Sequence, residues 1–410
     1  MPYQSKTRSF GGRRNTNTNQ RSSFHGGGHG GGNRGRSPSR KGPKKDYIDP
    51  ARFVKAAKPV EREAYVPQHT FADFDLSPQM AKNIADKGFV TPSAIQDQSI
   101  QHIMAGRDII GIADTGTGKT AAFGIPMLNA MMTNKGKALV IAPTRELAQQ
   151  IDAEFRAIAK GSGLHGAVLI GGTSMGPQLR DLRSNPQIVI GTPGRIKDHI
   201  ERRSLSLHDF SYVVLDEVDR MLDMGFINDV RSILNELPKE RQSMFFSATM
   251  DRAVSSLIET FSHEPITVSV KTGETGENIH QDVVRVNHDS EKLGKLHDLL
   301  LDDKMTKTII FDDTQRSVER LANELVARGF QADAIHGGKT QGQRQRSLKR
   351  FKDSEVTILV ATDVAARGID VVDVSHVVNY STPQSYSDYV HRIGRAGRAG
   401  RVGYALTFLP

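Results

Sequence analysis

The chain contains no cysteine, which excludes disulfides and thiolate metal sites without fixing a compartment. No apolar run reaches membrane-spanning length, and the first residues lack the apolar stretch of a secretory signal. A cytoplasmic protein without a membrane partner is the expectation. Acid is missing altogether from residues 1–45, which carry eleven Lys or Arg. The formal charge of +9 therefore belongs to that stretch, because the remaining 44 bases and 46 acids nearly cancel. The stretch is also poor in apolar residues and holds the runs HGGGHGGGNRGR and SPSRKGPKK, too little to offset chain entropy. A disordered, basic Gly/Arg/Ser-rich tail is expected, read either as a solubilising leader or as a nucleic-acid-binding arm. His25 and His29 are too few in that setting to suggest a metal site.

What is present begins with 410 residues, 37% hydrophobic and 25% charged, enough for two or three globular domains. The stretch RDIIGIADTGTGKT, residues 107–120, breaks from an apolar run into a glycine-rich loop. Ile109–Ile112 read as a buried strand and Ala121–Met132 as a helix whose N-terminus faces the loop. Thr115, Gly116, Thr117 and Gly118 then line a phosphate-binding turn, Lys119 adds a full charge, and the Thr120 hydroxyl suits Mg²⁺. Ala113 stands where such loops usually open with glycine.

From Phe71 onward apolar strands alternate with amphipathic helices, at 138–142, 167–170, 188–191, 212–215, 244–246 and 265–270. This alternation predicts a parallel sheet with helices on both faces and ligands beyond the strands' C-terminal ends. After the polar stretch KTGETGEN, 271–278, which reads as a linker, a second series runs at 281–286, 308–311, 332–335, 357–361, 376–379 and 404–408. KALVIAPTRE resembles KTIIFDDTQR, HGAVLIGG resembles QADAIHGG, and QIVIGTPGR resembles TILVATDVAAR. The expected organisation is tail 1–45, linker 46–70, first domain 71–270, linker 271–278 and second domain 279–410, with the two turn-bearing edges facing across a cleft.

Chemistry gathers at the strand ends. The run YVVL closes in Asp216 and Glu217, followed by Val218 and Asp219. In phosphoryl transfer one acid holds the metal and another aligns the attacking water, which assigns Asp216 to Mg²⁺ and Glu217 to water. In YVHRIGRAGRAGR, His391, Arg392, Arg395 and Arg398 recur at short spacing. Arginines supplied from across the cleft would complete an ATP site that lacks a finger of its own, so Arg395 and Arg398 are candidates.

Taken in order, GFVTPSAIQ (88–96), ADTGTGKT (113–120), PTREL (143–147), GG (171–172), TPGR (192–195), DEVD (216–219), SAT (247–249), QGQR (341–344), ATDVAARGID (361–370) and HRIGRAGR (391–398) resemble the motifs of DEAD-box RNA helicases of superfamily 2. The resemblance runs from about Phe71 to Pro410 and implies an α/β protein of two tandem RecA-like domains. It implies that Phe71 stacks on adenine and that Gln96 reads its Hoogsteen edge, a pairing whose donors and acceptors reject guanine. It places Thr144, Arg145, Gly171, Gly172, Thr192, Gly194, Arg195, Gln341, Arg344 and Thr362 on RNA. These groups suit phosphate and ribose, so binding should be largely independent of sequence. It further gives Asp370 to the ATP ribose, and Asp219, Ser247, Thr249 and His391 to the coupling of hydrolysis to strand separation.

The implied activity is ATP-dependent RNA unwinding or ribonucleoprotein remodelling by a monomer that uses ATP and Mg²⁺. An ATP-gated RNA clamp and a DNA motor are the alternatives. Val218 replaces the family's alanine and is expected to crowd the acidic loop. Asp114 stands where glutamine is common and brings negative charge toward the phosphates, and the chain ends after its last strand, where relatives continue into a closing helix.

Overall fold

Runs such as IVIG, KALVI and TIIF are apolar and rich in β-branched residues throughout, which suits strands buried on both faces. Thirteen strands, most of them of this kind, are found among the residues that the computed structural model describes, namely 48–57, 65–114, 116–134, 136–270, 278–366, 371, 373–397 and 401–410. In chain order they are β1 (Ile109–Ala113), β2 (Lys137–Ile141), β3 (Gly166–Leu169), β4 (Ile188–Gly191), β5 (Phe210–Asp216), β6 (Gln242–Ser247), β7 (Ile266–Val270), β8 (Ile279–Arg285), β9 (Thr308–Phe311), β10 (Ala332–Ile335), β11 (Ile358–Ala361), β12 (His376–Asn379) and β13 (Gly403–Leu409). The expected tail, most of the 271–278 linker, Thr115, Asp370 and Arg398 lie outside the described residues.

The strands form two all-parallel sheets, ordered β3-β4-β2-β5-β6-β1-β7 and β10-β11-β9-β12-β13-β8. Renumbered from their own first strands, both read 3-4-2-5-6-1, with β7 added to the first. The three sequence likenesses noted above therefore mark equivalent strands: β2 with β9, β3 with β10, and β4 with β11. This is the tandem RecA-like architecture, each sheet flanked by helices.

Neighbouring residues of one strand feed opposite faces. In β2, Ala138 and Val140 join one buried cluster with Phe123, Phe155 and Phe246. Leu139 and Ile141 join the other with Phe245 and Ile233. The second sheet is divided likewise, with Ile310 on one side and Ile309 and Phe311 on the other. Each fully buried aliphatic contributes about 1.5–3 kcal/mol, so the strands are fixed in register and their C-terminal ends become dependable platforms.

Two departures from the sequence expectation concern ends. The helix after the phosphate loop starts at Lys119, two residues earlier than expected, because Gly118 caps it in the left-handed conformation. Residues 46–70 are not a plain linker where described. Pro50–Phe53 form a 3₁₀ turn packed on the second sheet, and Tyr65 to His69 are bonded to the first domain.

Candidate nucleotide and RNA site

The phosphate loop is shaped from outside. Ser93 Oγ donates to the Thr117 carbonyl at 2.8 Å and Gln96 Nε2 to the Gly118 carbonyl at 3.1 Å, while Gln96 Oε1 accepts from Ser93 N at 2.9 Å. A side chain at Gly118 would come within 2.5 Å of Gln96 Nε2, so the clamp and the glycine require one another. Thr117 Oγ1 donates to the Asp114 carbonyl at 2.7 Å. With those carbonyls tied down, the amides of Gly116, Thr117 and Gly118 have no protein acceptor among the described residues. They are free to meet an anion at the start of the Lys119–Thr133 helix. Lys119 is buried and donates to the Ala113 carbonyl at 2.9 Å, so the residue in the first-glycine position holds the lysine by its backbone.

Phe71 packs with Phe89 at 6.1 Å, nearly parallel, and meets Phe74 edge-on. Beside Gln96, Asp97 is 3% exposed and accepts from Tyr65 Oη (2.5 Å), Gln68 N (2.8 Å) and His69 N (3.1 Å), with His69 Nδ1 at 2.7 Å. Burial opposes ionisation there, but these hydrogen bonds hold the Asp97 carboxyl below its usual range. The sequence reading missed this knot, whose only signal is its place next to Gln96.

The two acids after β5 are driven apart. Asp216 is 2% exposed and its Oδ1 has no hydrogen-bond partner among the described residues. Burial pushes its pKa up to about 6, opposed by Lys119 and assisted by the charge of Glu217. Glu217 is held in the left-handed region, φ 55°, at the start of the Val218–Asp223 helix. Burial would raise its pKa too. Arg220, whose guanidinium donates to Oε2 at 2.8 Å, together with Lys119, Arg395 and His391, outweighs burial and lowers it. Arg395 and His391 come from the second domain, so cationic charge reaches Glu217 across the cleft. Arg392 does not contribute, because it turns inward to Asp363 (2.6 and 2.7 Å), Asn379 and the Ser381 carbonyl.

An orphaned buried carboxylate oxygen beside a hydroxyl-bearing loop is a hard-oxygen donor set, which fits Mg²⁺. Val218 is fully buried in the core beneath the helix, among residues such as Met221 and Leu215, and fills space there. Asp219 Oδ2 accepts from Ala248 N (3.1 Å), Thr249 N (2.9 Å) and Thr249 Oγ1 (3.2 Å), and Asp219 N donates to Ser247 Oγ at 3.3 Å. The ends of β5 and β6 are thus tied together.

The expected RNA contacts sit on the same strand-end surface. Thr144 caps the Arg145–Ile158 helix through Leu147 N. Arg145 lies against Gly171 and Gly172, and a side chain at Gly172, φ 71°, would overlap its guanidinium. Thr192 precedes the Pro193–Glu201 helix, Gly194 is open, and Arg195 donates to the Thr173 carbonyl at 3.3 and 3.4 Å. Across the cleft Arg344 pairs with Glu146 at 2.9 Å, and Gln341 donates to Glu146 and Gln149 at 3.2 and 3.0 Å. Burial and the nearby Arg344 charge lower the pKa of Arg145, opposed by the charge of Glu146. Thr362 follows β11 and is buried, 9% exposed. Glu146 was visible within PTREL but carried no assignment.

Fold and site define a two-domain RecA-like P-loop nucleotide-binding protein, with its nucleotide loop in one domain and Arg395 and His391 reaching toward its acids from the other. The sequence models for the DEAD/DEAH box helicase domain and the helicase conserved C-terminal domain match residues 93–257 and 291–400. The chain is 45% identical over 342 residues to the ATP-dependent RNA helicase CshA of Listeria monocytogenes, covering 83% of this chain and 66% of that protein. It is 45% identical to the DEAD-box ATP-dependent RNA helicase CshA of Bacillus subtilis, covering 83% and 69%. Among solved structures, S. cerevisiae Dbp5 bound to RNA and ADP BeF3 matches with a TM-score of 0.73 and 30% identity, over 83% of this chain and 89% of that one. Mss116p bound to ssRNA and AMP-PNP matches with a TM-score of 0.74 and 31% identity, over 82% and 72%. The chain belongs to the DEAD-box ATP-dependent RNA helicase family. It spans about two thirds of the length of the curated relatives it matches.

Proposed function

We propose that the protein hydrolyses ATP in an RNA-dependent manner and uses closure of its two domains to open short RNA duplexes or remodel ribonucleoproteins. The observation that carries this reading is that Arg395 and His391 of the second domain come close enough to the buried Glu217 of the first for their charge to help hold its carboxyl below the usual range. A water-aligning acid and a finger meet only when the cleft is closed.

In this reading the loop amides and Lys119 hold the β- and γ-phosphates, while the Gln96 side chain and Phe71 hold the base. Thr120 and Asp216 would hold Mg²⁺, which when bound neutralises charge on the phosphates. Glu217, kept ionised by its cationic neighbours, orients the attacking water, and Arg395 meets the charge that develops in transfer. Asp219 is bonded to Ser247 and Thr249, so a change at the acids is felt at the end of β6. RNA would lie along Thr144, Arg145, Gly171, Gly172, Thr192, Gly194 and Arg195, joined by Gln341, Arg344 and Thr362, through backbone contacts that ignore base identity.

The test compares ATP turnover with single-stranded RNA and single-stranded DNA, alongside release of a short RNA duplex, with Lys119→Ala and Glu217→Gln as inactive controls. Stimulation by RNA alone, with duplex release, is expected. Equal stimulation by DNA would make the chain a DNA motor, and RNA-stimulated turnover without release would make it a clamp.

A further inference from the structure

The two sheets share their strand order and differ at one flank. In the first, β7 pairs with β1; in the second, no strand among the described residues lies beyond β8. Residues from far upstream take that place. Lys55 and Gln281 exchange backbone hydrogen bonds of 3.0 and 2.8 Å in an antiparallel bridge, and Ala57 N donates to His280 Nδ1 at 3.2 Å. Just ahead, Asp49 caps the turn through Ala51 N and Pro50 opens it, so the turn is encoded locally.

Phe53 is fully buried among Ile279, Tyr389, Ile393, Ala405 and Leu409, its ring meeting Tyr389 edge-on at 4.7 Å. The Arg52 guanidinium lies 3.6 Å above the ring of Tyr386. Tyr386, Tyr389 and Ile393 belong to one eight-residue helix, Tyr386–Ile393, which carries His391 and ends two residues before Arg395. Tyr389 Oη also donates to Gln281 Oε1 at 2.8 Å, so bridge, turn and helix meet at one side chain. Arg392 anchors the same helix to Asp363.

We propose that residues 48–57 hold the helix that delivers the arginine finger, with Phe53 a positioning residue for Arg395. The proposal rests on the reading of Arg395 as that finger. The helix buries Tyr389 and Ile393 in the cluster that Phe53 completes, and it is fastened at two separate places, by Arg392 on Asp363 and by Phe53 and Arg52 on Tyr389 and Tyr386. Emptying the Phe53 site leaves a void between the helix and β8 into which the helix shifts. A finger is worth about 10³–10⁵ in rate, and displacement by about 1 Å, even from a distant substitution, costs up to about 100-fold.

The test is a double-mutant cycle on the full chain at saturating RNA, using Phe53→Ala, Arg395→Ala and the pair, with Phe53→Leu and Arg52→Ala alongside and the thermal midpoint of each recorded. Phe53→Ala is expected to lower kcat roughly 10–100-fold while KM for ATP stays within about threefold, the pattern of an interaction felt only in the transition state. Phe53→Leu should recover most of the rate. In the Arg395→Ala background Phe53→Ala should cost nothing further, because the residue it positions is gone. Wild-type kcat in folded Phe53→Ala, or an undiminished further loss in the double variant, overturns the proposal. If Phe53→Ala does not fold, Arg52→Ala decides: a severalfold fall in kcat supports the proposal, and an unchanged kcat overturns it. Should Arg395→Ala itself turn over normally, the finger reading fails first. If only Arg395→Ala is slow, the finger stands and this inference fails.

Discussion

A carboxylate buried with one oxygen unpartnered is costly to ionise, and Asp216 carries that cost openly. Its folded pKa of about 6 lies above the ordinary 3.8. Its contribution therefore favours the fold below the ordinary value and is lost as pH rises through about 6. Without nucleotide or metal, Asp216→Asn should raise the thermal midpoint by a few degrees at about pH 8, and the gain should shrink below about pH 6 and vanish only below the ordinary 3.8, where the carboxyl is neutral in folded and unfolded chains alike. An asparagine variant no more stable at the higher pH would show that the carboxylate is well solvated. Val218 makes a second case. Its two extra methyls lie in the core, so Val218→Ala should cost about 1–3 kcal/mol in denaturant unfolding and change RNA-stimulated turnover only modestly. A wild type without turnover that gains it on this substitution would instead make the chain a clamp. Asp216 and Glu217 were legible because strand and acids are contiguous. Glu146 was not, since its partner Gln341 lies 195 residues away and a contact across domains leaves no local spacing.

At the scale of elements, the strands were legible because apolar runs buried on both faces allow little else, and boundaries moved by only a residue or two, as where β5 begins at Phe210 rather than Tyr212. The helices facing the cleft were legible as helices and not as a lock. Glu146 on the Arg145–Ile158 helix is buried against Arg344 on the Gln341–Lys352 helix. Removing one partner of a buried pair typically costs about 3–5 kcal/mol, here charged to the closed state alone. Glu146→Ala should therefore leave each domain folded, weaken RNA-dependent closure at least tenfold as read by a dye pair across the cleft, and raise the RNA concentration for half-maximal turnover. Unaltered closure would mean that water already shares the load of that pair.

For the molecule as a whole, charge location gives the clearest expectation. Removing residues 1–45, with their eleven bases and no acid, should weaken RNA binding while leaving turnover at saturating RNA almost unchanged. For single strands log K falls with log salt at about −0.7 per phosphate neutralised, so engagement of about four bases implies a slope flatter by about 3 after deletion. Identical slopes in titrations of both proteins would reduce the tail to a solubility leader. The duplicated strand order was foreshadowed by paired segments in the sequence, whereas the flank of β8 was not, because it is closed by a turn that reads as linker. That closure also sets a clock. Phe53 leaves the ribosome roughly 340 residues before Tyr389, a delay of about 17–70 s at ordinary synthesis rates. Throughout that interval an apolar ring waits beside a cationic arm, and the first domain can finish folding before the second has an edge to offer. Anything that occupies the upstream segment during synthesis, a chaperone or a nascent RNA, therefore competes with the last seam of the fold.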